Sequence, residues 1–357
     1  MSRLYQEFTL KNHRLRNAIV FPPMVCFNWS DEKGLVSKDH LDHYERIAKG
    51  GVGLIVVEAT AIDPNGRLHA SQLGIWNEEQ VDGLQKIAKI IRDHGGKSLL
   101  QIHHAGDKTP ENIMKSPFAP SKYTLKNDRT TTPLTKGDIK TIQKDFLKAA
   151  LRAEKAGFDG IELHGAHGYL INQFLSPKTN LRDDDYGGSF ENRLRFVQEI
   201  LTMIKDHLPS DFIIGYRHGG NTPDLEGGTK ASKALEKMGV DLMHVSAGIY
   251  DEKDEPVVPE GFNFNWIVYT GREIKKALSI PVILVNGIRE PHQAEQLIEE
   301  NQGDLIAVGR GILVDPLWPK KGEEKKDVNP CLRCRPRCFY TIDGRKCPQF
   351  PEKKGNA

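Results

Sequence analysis

At 357 residues the chain is long enough for one large domain or two ordinary ones, and 38 % hydrophobic residues supply material for a sizeable core. Fifty basic against 48 acidic side chains leave a net charge of +2, which argues against nucleic acid or an acidic membrane surface as partner and favours a protein that handles small molecules. The opening MSRLYQEFTLKN lacks the apolar core of a signal peptide and no apolar run approaches a membrane span, so a soluble, cytoplasmic protein with no membrane partner is expected.

Taken in chain order, Phe8 to Arg16 alternates around Asn12-His13 and reads as a short hairpin. From Ala18 a rhythm sets in, short apolar runs separated by longer amphipathic segments, the pattern of parallel strands joined by helical crossovers. The runs are Ala18 to Met24, Gly53 to Thr60, Lys97 to His103, Phe158 to Leu163, Asp211 to Arg217, Asp241 to Ser246, Pro281 to Asn286 and Asp304 to Val308. Eight strands in βα order predict a (β/α)8 TIM barrel over residues 1–318, with the hairpin on its floor. An open doubly wound sheet would normally carry a glycine fingerprint after its first strand, and FPPMVCF has none.

The intervals carry helix signals. Ser37 caps a run through Leu41, Tyr44 and Ile47 that stops at Gly50-Gly51, and Asp138 caps one through Ile142, Phe146 and Ala149 that stops at Gly157. The polar stretch 104–137 is too long for a simple connection and is expected to fold over the active-site end. Loops 221–229 and 248–265 are candidates for substrate selection.

Chemistry concentrates where the fourth run ends. His164, His167 and Tyr169 arrive within six positions of one strand terminus, followed by turn-rich residues 180–188 and then Ser189, a cap for a helix through Leu194, Phe196 and Ile200. At the ends of the seventh and eighth runs, Gly287 and Gly309-Arg310 supply small residues and a guanidinium where such barrels often cradle a phosphate.

The order His-Gly-Ala-His-Gly-Tyr-Leu, then Asn172-Gln173-Phe174-Leu175-Ser176-Pro177, Asn180-x-Arg182, Asp185-Tyr186-Gly187-Gly188-Ser189 and Asn192-Arg193 resembles the signature of the Old Yellow Enzyme family of flavin-dependent oxidoreductases. That resemblance implies FMN, with its phosphate at Gly287, Gly309 and Arg310, Arg217 beside the charge-bearing edge of the ring, Gln101 at the pyrimidine edge, and Ala59 with Pro23-Met24-Val25-Cys26 along it. It implies NAD(P)H as reductant and an α,β-unsaturated carbonyl as substrate, its oxygen held by His164 and His167 while Tyr169 protonates the α-carbon. Cys26 resembles a cysteine that tunes the flavin in the bacterial branch; a small buried hydrophobe is the other reading of it. Where that branch has a substrate-binding tyrosine two residues later, this chain has Asn28, followed by Trp29.

Residues 319–357 differ sharply, with eleven Lys and Arg against five Asp and Glu and four cysteines, Cys331, Cys334, Cys338 and Cys347, spaced C-x2-C-x3-C-x8-C. The spacing is similar to the [4Fe-4S] site of the 2,4-dienoyl-CoA reductase, enoate reductase and trimethylamine dehydrogenase branch, with a shorter last gap. Zinc and free thiols remain alternatives at this point. So do two other functions, oxidative C–N cleavage and a flavin/iron–sulfur electron-transfer subunit serving a separate partner. Homo-oligomerisation is compatible with the sequence but not specified by it.

Overall fold

The computed structural model of the protein describes residues 2–249 and 255–350. Its first elements are β1 (Phe8–Leu10) and β2 (His13–Leu15), an antiparallel hairpin with Phe8 opposite Leu15. Then come β3 (Ile19–Phe21), α1 (Lys38–Lys49), β4 (Leu54–Ala61), α2 (Val81–Asp93) and β5 (Lys97–His103). Two short strands, β6 (Phe118–Ala119) and β7 (Thr132–Pro133), pair with each other outside the barrel before α3 (Lys136–Lys155). The order continues with β8 (Gly160–Gly165), α4 (Leu170–Leu175), α5 (Phe190–His207), β9 (Ile213–Gly219), α6 (Leu225–Lys237), β10 (Leu242–Ser246) and α7 (Trp266–Lys275). It closes with β11 (Val282–Val285), α8 (Pro291–Glu299), β12 (Leu305–Ala307), α9 (Arg310–Val314) and α10 (Trp318–Glu323).

β3, β4, β5, β8, β9, β10, β11 and β12 form a closed barrel in that order, each parallel to its neighbours and β12 pairing back to β3. The fold is the (β/α)8 barrel, and each of the eight apolar runs overlaps one strand, with β4, β8 and β9 reaching one or two residues past the end of theirs. Strand alternation divides the interior from the helix-facing shell. Val20, Leu54, Leu99, Ile213, Leu242, Ile283 and Leu305 pack together inside, closed from below by Leu10 and Leu15 of the hairpin. Ile55, Leu100, Ile161, Ile214, Met243 and Leu284 point outward into the larger core shared with the helices. Each fully buried aliphatic side chain contributes roughly 1.5–3 kcal/mol, so this double layer is the main source of stability.

Helix ends follow the capping residues. Ser37 opens α1 in a reciprocal box with His40, and Gly50 closes it. Ser189 caps α5, its Oγ accepting from the Asn192 amide at 3.2 Å. For α3 the expected cap was Asp138, but the helix starts one turn earlier. Thr135 is the cap, and Asp138 is the third helical residue, accepting from the Thr135 amide at 2.9 Å while its own amide donates to Thr135 Oγ1 at 3.1 Å. Asp138 is thus the second half of a capping box.

The 104–137 stretch also differs from expectation, since none of its described residues lines the barrel mouth. Arg182 holds it aside, donating to the Pro120 carbonyl at 2.7 Å and the Leu134 carbonyl at 2.6 Å. The tail after α10 does not hang free. Tyr340 and Phe350 are buried, and Phe350 meets the Trp29 ring edge-on at 6.4 Å.

Candidate active site

At the C-terminal ends of the barrel strands the inward positions change from aliphatic to polar. Leu99 is followed two residues on by Gln101, Ile213 by Gly215 and Arg217, and Leu242 by His244 and Ser246. In β8, Glu162 and His164 occupy the same inward register. A register shift between Val57 and Thr60 in β4 lets Glu58 face α1 while Ala59 faces the mouth. The result is a cavity of about 480 Å³, within the usual range for a small-molecule site.

Beneath the cavity runs one continuous polar chain. Gln101 Nε2 donates to Glu162 Oε1 at 2.7 Å, and Glu162 Oε2 lies 2.7 Å from His244 Nδ1. A carboxylate only accepts, so His244 carries its proton on Nδ1 and donates. Arg217 extends alongside and donates to Ser246 Oγ at 3.3 Å, and Ser246 Oγ is 2.7 Å from His167 Nε2. His167 Nδ1 lies 3.3 Å from His164 Nε2.

Burial pushes the Glu162 carboxyl up, but His244, Arg217 and Gln101 together outweigh it and hold the group below its ordinary value. Burial lowers Arg217 to about 10, against the pull of Glu162, so it remains a cation at neutral pH. Glu162, His244 and Ser246 were not picked out from the sequence. The available signal was an acidic residue inside the apolar run Ile161-Glu162-Leu163, which alternation turns into the barrel.

Tyr169, the residue before α4, lines the cavity with His164 and His167. Its ring stands edge-on to His103 at 4.4 Å and to His164 at 4.7 Å, which fixes its orientation. Burial pushes its phenol up to about 12, so it keeps its proton throughout the neutral range. Both His164 and His167 are held neutral, by burial first; for His164 the neighbouring histidines add to it, and for His167 Arg217 and His244 do. The His167 ring remains open to the cavity, which tempers its desolvation. His167 sits at φ 58°, a left-handed conformation anchored by its amide donating to the Ala247 carbonyl at 2.9 Å. Such strain, about 1–3 kcal/mol, clusters at functional sites.

Pro23, Met24, Val25, Gln101, Ala59, Arg217, Gly287, Gly309 and Arg310 all border this cavity. Cys26 does not. Its thiol faces away from the cavity into a buried pocket with Glu58, whose carboxylate accepts from the Cys26 amide at 2.7 Å, and burial raises the thiol well above its ordinary value. The Glu58 carboxylate, which takes the Cys26 amide and the Tyr44 hydroxyl, holds this residue on the α1 side. Cys26 Sγ, His40 Nε2 and a Glu58 oxygen lie within 4.8 Å of one another. His40 Nδ1 accepts from the Ser37 amide at 3.2 Å, which leaves its proton on Nε2, a buried atom with no hydrogen-bond partner among the described residues. The expected selection loops stand back as well. Asn221 supports Gly248 at 2.8 Å, no described residue of either loop lines the cavity, and residues 250–254 lie outside the described ones.

FMN fits the residues at the mouth on three observations. Arg217 Nε is buried without a hydrogen-bond partner, a cationic donor awaiting an acceptor. A Cβ at Gly309 would come within 2.9 Å of Met24 Sδ, and Gly287 sits at φ 76°, so glycine keeps both strand ends open for close backbone approach. Arg289 and Arg310 face the same end, where an anionic phosphate finds two guanidinium groups.

Next to it lies a second cavity of about 360 Å³ lined by Cys331, Cys334, Cys338 and Cys347, all free thiols. Zinc bonded at ~2.3 Å in a tetrahedron would draw its sulfurs to roughly 3.8 Å of one another. No three of these thiols approach within 4.8 Å of one another among the described residues, a wider spacing than that. Burial raises Cys347, and the other three thiols push it further. Arg289, Arg310, Arg333, Arg335 and Arg337 surround the cage, a setting matched to an anionic occupant. Arg289, Arg310, Cys338 and Tyr340 border both cavities.

Barrel and mouth together define an α/β-barrel enzyme whose reactive face is the C-terminal end of its strands. Residues 3–329 match the NADH:flavin oxidoreductase / NADH oxidase family, and the chain belongs to that family, the Old Yellow Enzyme group of NAD(P)H-dependent flavin oxidoreductases. It is 44 % identical over 350 residues to an NADH oxidase of Thermoanaerobacter brockii, covering 94 % of this chain and 53 % of that protein. With an NADPH dehydrogenase of Clostridium acetobutylicum it shares 39 % over 330 residues, 92 % of this chain and 96 % of the relative. Among solved structures, 2-naphthoyl-CoA reductase in complex with 2-naphthoyl-CoA superposes with a TM-score of 0.89 at 25 % identity, over 99 % of this chain and 57 % of the other. Morphinone reductase in complex with tetrahydroNAD shares the fold, with a TM-score of 0.77 over 92 % of each chain. The chain therefore spans about half the length of the oxidase and of the naphthoyl-CoA reductase, and nearly all of the dehydrogenase. Among the described residues no helix is long and apolar enough to cross a membrane.

Proposed function

We propose that the protein is an FMN-dependent ene-reductase that uses NAD(P)H to saturate the C=C bond of α,β-unsaturated carbonyl compounds. The observation that carries this reading is the convergence of His164, His167 and Tyr169 on one cavity with Arg217 and Gln101. Bound there, FMN supplies the hydride that the β-carbon receives. Everything else falls to the chain's own residues. His164 and His167 hold the carbonyl oxygen and stabilise the negative charge that builds on it, the role of pre-aimed donors in a desolvated site. Tyr169, kept protonated by burial, delivers its proton to the α-carbon, so that hydride and proton together add one H2 across the double bond. Arg217 favours negative charge at the flavin edge, and Glu162 and His244 hold Arg217 in place. Arg310, Gly309 and Gly287 receive the phosphate.

The four thiols favour a [4Fe-4S] cluster as an addition to this scheme, held by Cys331, Cys334, Cys338 and Cys347. Because Cys338 and Tyr340 border both cavities, such a cluster would adjoin the flavin and could take electrons from a separate donor. Iron and acid-labile sulfide at about four each per chain support it; iron-free protein with an intact barrel contradicts it.

Tyr169→Phe tests the central reading. Alkene reduction is expected to fall by about 10²–10⁴-fold while flavin bleaching by NAD(P)H persists. Equal loss of both half-reactions in rapid mixing would refute the assignment.

A further inference from the structure

The cysteine tail supplies part of the wall of the central cavity. Cys338, Tyr340 and Thr341 line it together with Phe27 and the two histidines, His164 and His167. Four hydrogen bonds pin this wall, three to the loop after β3 and one to α1. Asn28 Nδ2 donates to the Ile342 carbonyl at 2.9 Å, and Trp29 Nε1 donates to Asp343 Oδ1 at 3.1 Å. Arg345 donates to the Asn28 carbonyl at 3.2 Å and to Asp39 Oδ2 at 2.7 Å. Packing is equally close, since a Cβ at Gly344 would meet the Tyr340 ring at 2.6 Å and the Trp29 ring at 3.2 Å. Asn28, in a left-handed conformation at φ 66°, thus engages its amide with the tail instead of presenting a side chain to the cavity.

We infer that Tyr340 and Thr341 are specificity-determining residues of the site, forming an aromatic and methyl-bearing wall, with Phe27, that receives a flat apolar substituent on the alkene. Asp343 is a positioning residue, joining Trp29 and Arg345 to that wall. The substrate class this selects is an enone bearing a ring or aryl group, and the inference rests on the ene-reductase reading. Thr341 is exposed, so its size can be changed without opening a core cavity, and among the described residues its Oγ1 donates to the Cys338 carbonyl, at 2.6 Å.

The test compares kcat/KM for cyclohex-2-enone and for 4-phenylbut-3-en-2-one in the flavin-loaded full chain, with NADPH. Thr341→Ala is expected to raise the aryl-to-cyclic ratio about tenfold and Thr341→Trp to lower it about tenfold, the scale of discrimination a pocket wall achieves. Flavin and iron content stay unchanged in both. Asp343→Asn is expected to raise KM for the two alkenes with kcat retained and to shift the emission of Trp29. Ratios that stay within about twofold of the parent in both Thr341 variants would overturn the inference. If the parent reduces neither alkene, the ene-reductase reading fails by itself. The wall is then read from the concentration dependence of flavin bleaching by NADPH, where a change of about tenfold in Thr341→Trp supports it and an unchanged dependence overturns it.

Discussion

The lower and upper halves of one barrel interior share the same strands and the same alternation yet carry opposite chemistry. Below, Leu54, Leu99, Ile213, Leu242 and Ile283 fill the space with hydrocarbon over a hairpin plug. Above, Gln101, Arg217 and His244 occupy inward positions further along β5, β9 and β10, Glu162 does so in β8, and the four are joined by hydrogen bonds and one buried charge pair. Two to four residues of strand, roughly 7–13 Å, separate a layer that stabilises from a layer that costs stability and performs chemistry. Function here is concentrated where burial is electrostatically expensive.

The sharpest way to break the contrast is to remove one partner from the upper layer. Glu162→Ala leaves Arg217 buried without its counter-charge and should cost about 3–5 kcal/mol, read as a fall in denaturation midpoint, together with weakened flavin retention. A wild-type midpoint would mean that the charge pair is not stabilising Arg217. In the lower layer, Leu99→Ala should cost about 2–5 kcal/mol by leaving a cavity, with kcat/KM unchanged wherever the variant is folded. A loss of turnover at full folding would show that the floor is coupled to the site.

Acid should act on the buried histidines. Burial lowers His103 to about 3 and His218 to about 4, with the neighbouring His104 and His167 adding to the first. Their unfolded pKa is near 6.5, so below that pH the unfolded chain binds protons that the native chain refuses. The stability each provides is therefore complete above pH 6.5 and drains as the pH falls towards 4 and then 3. Denaturation midpoints at pH 7 and pH 5 should differ by roughly 2 kcal/mol per histidine, and His218→Gln should reduce the difference. A flat profile would contradict the burial of these rings in neutral form. The smallest expected effect lies outside both layers, where Ser189→Ala removes the cap of α5 and should cost about 1 kcal/mol without altering activity.

Much of the barrel was legible because strand and helix signals are local. Lys97–His103 matches its strand end for end, since Leu99, Leu100 and Ile102 place apolar residues on both faces and Gly95-Gly96 bounds the run. The α3 cap was misread because Thr135 and Asp138 are both good caps, and only the hydrogen bonds decide which starts the helix. Glu162 and His244 escaped notice because a polar residue in a strand gains meaning from its partner, 82 positions away. Cys26 stands beside the cavity-lining residues in sequence, but the side its thiol faces depends on Glu58, brought round by the shift in β4. The tail's grip on Asn28 and Trp29 spans 314 positions, and nothing local announces it.

Anaerobic titration of the purified full chain with NADPH, followed by cyclohex-2-enone, addresses the central claim most directly. Flavin absorption is expected to bleach with NADPH and to return on adding the enone, with one saturated ketone formed per flavin reoxidised. Absence of bound flavin with no uptake of added FMN, or a bleached flavin that no enone restores, would contradict it.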